Sequence, residues 1–79
     1  MKIEILGSGC KKCTNLANEV TAIASRLGVD AEVEKVTDMA IILDYGVMST
    51  PAIVINGKVM TAGTVPSTTE IEQLLTQAN

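Results

Sequence analysis

Histidine, tryptophan and phenylalanine are absent from this chain, and Tyr45 is its single aromatic residue. A core without large rings has to be built from Ile, Val, Leu and Ala. Met39, Met48 and Met60 are expected to fill gaps in it, because an unbranched thioether adapts to irregular spaces. Basic residues are scarce too: six Lys and Arg against nine Asp and Glu leave a net charge of −3. That balance gives no electrostatic reason to expect nucleic acid, which attracts strongly basic surfaces, and it disfavours acidic membranes. No apolar run approaches the length of a membrane span. The opening "MKIEILGSG" lacks the apolar stretch of a signal sequence, so a reducing, cytoplasmic setting is the expectation.

The most informative scarcity is cysteine. The chain holds two, Cys10 and Cys13, too close together to staple distant parts of a fold. A bridge across so short a loop removes little chain entropy, so the pair reads as a chemical device. In a reducing compartment C-x-x-C points to redox or metal chemistry. Soft thiolates suit Cu(I) and Zn(II). Zinc would need two further ligands, and with no histidine and no other cysteine a closed site requires a second chain.

At 79 residues, 47% of them hydrophobic, the chain is expected to form one domain over 1–79. "KIEIL" alternates and predicts a strand over Lys2–Leu6, broken by "GSG". From about Lys11 the apolar positions Cys13, Leu16, Ala17, Val20, Ile23, Ala24 and Leu27 recur at helical spacing, and Gly28 stands at the expected stop. "DAEVEKV" (Asp30–Val36) reads as a second strand, its acidic residues forming a polar face. "TDMAIILDYG" opens with two good N-cap types and closes at Gly46 as a short helix, with Tyr45 packing at its end. "AIVI", Asn56-Gly57 and "KVMTA" form a hairpin. In "PSTTEIEQLLTQAN", Ser67 and Glu70 have capping-box spacing, and Ile71, Leu74 and Leu75 form a buried stripe. The predicted order is β-α-β-α-β-β-α, an α/β fold with a four-stranded mixed sheet and helices on both faces.

In that frame Cys10 falls where the first strand hands over to the first helix, with Cys13 one turn inside. Unpaired N–H groups and the positive end of the macrodipole favour the ionised form of a thiol there. Cys10 is therefore the expected attacking sulfur. Cys13, the less exposed of the two, would displace the resulting mixed disulfide. Lys11 and Lys12 oppose the macrodipole by about a few tenths of a kcal/mol each; they either favour thiolate formation or are simply solvated. Copper and zinc carriers also place C-x-x-C at such a junction, but they run β-α-β-β-α-β and finish on a strand.

Pro51, directly before the third strand, adds a second signal. Cys10-Lys-Lys-Cys13, Thr50-Pro51, the "ING" hairpin, Gly63 and the closing amphipathic helix together resemble the thioredoxin/glutaredoxin superfamily. More narrowly, the chain is similar to the small bacterial and archaeal thioredoxin-like proteins labelled redox-active disulfide protein. The resemblance covers nearly the whole chain. It implies a thioredoxin-like fold and a protein disulfide oxidoreductase in which Cys10 attacks and Cys13 resolves, with no cofactor beyond the Cys10–Cys13 disulfide and no metal. It implies a cis Thr50–Pro51 bond beside the cysteines, which helps exclude metal, and a Thr50 backbone that pairs with an extended substrate segment. Gly63 would match the family's glycine where a side chain would crowd the site. The implied partners are a disulfide-containing client and an electron donor of the thioredoxin-reductase kind, to a monomer.

The chain departs from the family's common patterns in several places. Gly9 stands where thioredoxins carry Trp, and Lys-Lys replaces Gly-Pro between the cysteines. Ala62–Thr64 replaces the Gly-Gly and acidic residue of glutaredoxins. Glu4, six residues before Cys10, occupies the place of a buried carboxylate that helps proton transfer in thioredoxins; an isolated strand carboxylate otherwise faces solvent. A Cu(I)/Zn(II) metallochaperone and a non-catalytic redox sensor using the same pair remain the alternatives.

Overall fold

A computed structural model describes residues 1–7 and 11–77. The elements are β1 (Lys2–Leu6), α1 (Lys11–Leu27), β2 (Glu32–Val36), α2 (Met39–Asp44), β3 (Ala52–Ile55), β4 (Lys58–Ala62) and α3 (Thr68–Gln77). This is the order read from the sequence, with β2 starting at Glu32 rather than Asp30. The four strands form one sheet in the order β2-β1-β3-β4. β1 runs parallel to β2 and antiparallel to β3, and β3 pairs antiparallel with β4.

The sheet is covered on both faces, which is why "AIVI" is buried throughout rather than alternating. On one face Ile3, Ile5, Ile53 and Ile55 pack against α1 through Leu16, Ala17, Val20, Ile23 and Ala24, and against α3 through Ile71 and Leu75. Leu74 lies half-buried against that cluster. On the other face Leu6, Val36, Ala52 and Val54 meet Ile42 of α2 and Val47. Each fully buried Ile or Leu contributes about 1.5–3 kcal/mol relative to exposure. The expectation that methionines fill this core holds for Met60, which packs against the first cluster. It fails for Met39, 53% exposed, and Met48, 97% exposed. Aliphatic side chains close the interior without them.

Local chemistry sets the ends of these elements. Gly28, at φ +72°, closes α1: its N–H donates to Ser25 O and that of Val29 to Ala24 O, the paired bonds of a Schellman stop. Arg26 in the last turn of α1 ion-pairs with Glu72 of α3, and Thr68 Oγ1 donates to Glu19 at 2.9 Å, so the two helices are tied side by side. α3 opens on the expected capping box, with the Glu70 N–H donating to Ser67 Oγ and the Ser67 N–H donating to Glu70 Oε1. Asp38 caps α2 by accepting from the Ala40 N–H. Asn56 (φ +50°) and Gly57 (φ +84°) make the two-residue turn between β3 and β4. The β3–β4 register shifts between Ile53 and Val54.

Candidate active site

β1 ends at Leu6, and Gly7 continues it with one more ladder bond, its N–H donating to Val36 O at 2.9 Å. Strand alternation turns Gly7 toward the same face as Ile3 and Ile5, the face that α1 covers. Cys13, in the first turns of α1, is 4% exposed and disulfide-bonded. Its sulfur rests against the Gly7 backbone so closely that a β-carbon on Gly7 would sit 2.1 Å from Sγ. The same position would lie 3.9 Å from the Thr50 Cβ. Gly7, Cys13 and Thr50 therefore meet at one end of the sheet. Cys10, the expected attacking sulfur, lies outside the described residues.

A second close approach builds the neighbouring wall. The Thr50–Pro51 peptide bond is cis, and Pro51 is buried beneath exposed Ser49 and Thr50. Gly63, at φ +80°, follows β4 and donates its N–H to Pro51 O at 3.0 Å. A side chain there would place its β-carbon 2.8 Å from Ser49 Cβ. The residue that a side chain at Gly63 would meet is Ser49. The chain at 49–51 and the chain at 63 run side by side as one rim.

Lys11 and Lys12 are both exposed in the first turn of α1. A small cleft of about 70 Å³ beside Cys13 is lined by Ile5, Gly7, Thr14, Lys35 and Thr37. A larger hollow of about 420 Å³, lined by Ile55, Asn56, Lys58, Met60 and Gln77, lies at the opposite end of β1 and β3 and takes no part in this site.

Glu4 does not face solvent as an isolated strand carboxylate would; it is 9% exposed. The reason is α2, which covers the second face of the sheet and brings Tyr45 over it. Tyr45 Oη donates to Glu4 Oε1 at 2.9 Å. That hydrogen bond raises the Tyr45 pKa above the ordinary 10.0, with desolvation and the Glu4 charge adding in the same direction. Tyr45 is thus a polar anchor as well as a packing residue. Strand alternation puts Glu4 on the face of Leu6 and α2, and Gly7 and Cys13 on the face of α1.

Two contributors escaped sequence reasoning. Gly7 read only as part of a strand-breaking "GSG". Its signal was the even spacing from Ile3 and Ile5, which aims any side chain at the helix carrying Cys13. Ser49 had no signal of its own.

The chain matches the thioredoxin domain family over residues 1–76. It is 37% identical over 75 residues to a thioredoxin of Methanothermobacter thermautotrophicus, covering 95% of this chain and 97% of that one. It is 37% identical over 73 residues to a thioredoxin of Methanocaldococcus jannaschii, covering 92% and 84%. Among solved structures, thioredoxin 1 from the thermophilic eubacterium Thermosipho africanus superposes with a TM-score of 0.68 over 98% of this chain and 92% of that one. At 21% identity that likeness concerns the fold alone, which is α/β and thioredoxin-like.

Proposed function

The chain belongs to the thioredoxin domain family, and from that premise we propose that it is a protein disulfide oxidoreductase working through the dithiol of Cys10 and Cys13. The observation that carries this reading is the packing of the disulfide-bonded Cys13 sulfur against Gly7, with Thr50 beside them. A buried sulfur held against backbone, next to an exposed loop able to receive an extended chain, suits a resolving thiol.

Cys10 thiolate attacks one sulfur of a client disulfide; a Cys10–client bond forms, the client S–S bond breaks, and the second client sulfur leaves as thiolate. Cys13, as thiolate, then attacks Cys10 Sγ and releases the first client sulfur. Two electrons pass to the client, which takes up two protons, and the Cys10–Cys13 disulfide remains. A dithiol donor of the reductase kind returns the pair to the reduced state. Thr50 would offer its backbone to the client segment, with Pro51 and Gly63 keeping that edge open. Lys11 and Lys12, exposed in the first turn, would favour Cys10 thiolate. The sulfurs carry the electrons themselves, so no cofactor enters, and the work is that of a cytoplasmic monomer.

Trapping tests the mechanism. Cys13→Ser accumulates a covalent client adduct that dithiothreitol releases, and Cys10→Ser forms none. Wild-type turnover by Cys13→Ser would sink the dithiol mechanism. Stoichiometric Cu(I) or Zn(II) on the reduced protein, without disulfide turnover, would favour a metallochaperone.

A further inference from the structure

Among the described residues Glu4 is the one charged side chain buried to about nine-tenths. Its carboxylate sits over an aliphatic cluster of Leu6, Val36, Ile42, Val47, Ala52 and Val54. A carboxylate taken out of water needs a hydrogen-bonding partner or it is strongly destabilising. Here the partner is the phenol of Tyr45, donating at 2.9 Å. Glu34 is its register neighbour on β2, Lys2 precedes it on the same face of β1, and β3 presents only Val54. Cys13 lies across the sheet from this set, on the face of α1.

The position of Tyr45 gives the pair a different consequence. Tyr45 is the C-cap of α2. From there the chain passes Gly46 at φ +75°, buried Val47 and Ser49, whose Cβ abuts Gly63, before reaching Thr50–Pro51. α2 is six residues long and buries only Ile42, too short a helix to hold its own end in place. The Tyr45–Glu4 bond therefore ties the start of the segment that delivers Thr50 to β1, an inner strand of the sheet.

Resting on the oxidoreductase reading, we infer that Glu4 and Tyr45 are positioning residues for the client-binding edge: their hydrogen bond, on the face of the sheet away from Cys13, anchors the segment that sets Thr50–Pro51 against Gly63. Glu4 has no part in moving the proton of Cys13. The acidic position that the family resemblance suggests for proton transfer here serves geometry instead.

The test compares Tyr45→Phe, which loses the donor, with Glu4→Gln, which keeps an acceptor oxygen. Reduction of insulin and of a small aromatic disulfide is followed across pH, with amide exchange at Gly63, whose N–H reports its bond to Pro51 O. Tyr45→Phe raises KM for insulin about three- to ten-fold, the factor one ordinary hydrogen bond spans, with kcat and the small disulfide unchanged and Gly63 exchange accelerated. Glu4→Gln keeps the wild-type pH profile. A pH profile shifted in Glu4→Gln would overturn the inference in favour of a proton relay. An unchanged insulin KM, or unchanged Gly63 exchange, in Tyr45→Phe would overturn it as well. Failure of the wild type to reduce either disulfide would remove the oxidoreductase reading and the client half of this inference; Gly63 exchange would still decide the anchoring half.

Discussion

Gly63 and Ser49 touch where a side chain on the former would put its β-carbon 2.8 Å from the β-carbon of the latter, beside the Gly63 N–H bond to Pro51 O. Gly63→Ala meets two penalties there: that contact, and a backbone at φ +80° that L residues rarely adopt. Together they cost about 1–3 kcal/mol, the range for overpacking a tight site. Ser49→Gly removes one side of the contact. The double variant Ser49→Gly/Gly63→Ala is expected to recover the steric part and keep the φ part. Denaturant unfolding of the four proteins in a double-mutant cycle measures the split; strict additivity would show that the two residues do not share the penalty.

Gly7→Ala drives a methyl group toward the Cys13 sulfur, 2.1 Å from where the new carbon would lie. The sulfur is held in a disulfide and has helix behind it, so α1 or the end of β1 has to shift. The expected result is a loss of about 1–3 kcal/mol in stability together with reduced disulfide turnover. Wild-type turnover in a stably folded Gly7→Ala would mean the sulfur has room that its packing does not suggest.

Much of the architecture was legible because local signals agreed with one another. The apolar spacing of α1, the Gly28 stop, the Ser67–Glu70 box and the Asn56–Gly57 turn each specify their element without help from distant residues. Glu4 was not legible in the same way. Lys2 and Glu4 against Ile3 and Ile5 read as one wet face and one dry face. What buries Glu4 is a short helix some forty residues downstream in the sequence. Met39 and Met48 misled for the complementary reason: the composition called for large side chains inside, but β-branched and Leu side chains fill both clusters, leaving these thioethers outside. Gly7 needed the two readings together, strand parity and the helix position of Cys13.

The Tyr45 phenol gives a pH signature. Its pKa is raised in the fold above the ordinary 10.0, chiefly by the hydrogen bond to Glu4. The folded state therefore binds the phenolic proton more tightly than the unfolded state. That contribution is complete below the unfolded pKa and is lost as pH rises through the folded one. Stability attributable to Tyr45 should be flat through neutral pH and decline in the alkaline range above 10.0. With no tryptophan and one tyrosine in the chain, phenolate absorbance follows this group alone. Its midpoint should lie above that of free tyrosine, and Glu4→Gln should lower it. An unshifted midpoint in the wild type would break the assignment of the Glu4 bond.

Thr61, on β4, carries the one buried side-chain oxygen among the described residues that has no hydrogen-bond partner. A buried hydroxyl without a partner forfeits its hydration and recovers nothing. Thr61→Val keeps the shape and the β-branched preference of a strand while removing the polar atom. It should stabilise the protein by about 1 kcal/mol, which for a domain of this size raises Tm by about 4–8 °C. Because Thr61 pairs with Ile53 in the middle of β3, insulin reduction should stay at its wild-type rate. Destabilisation by Thr61→Val would show instead that the hydroxyl is satisfied in solution by a bound water.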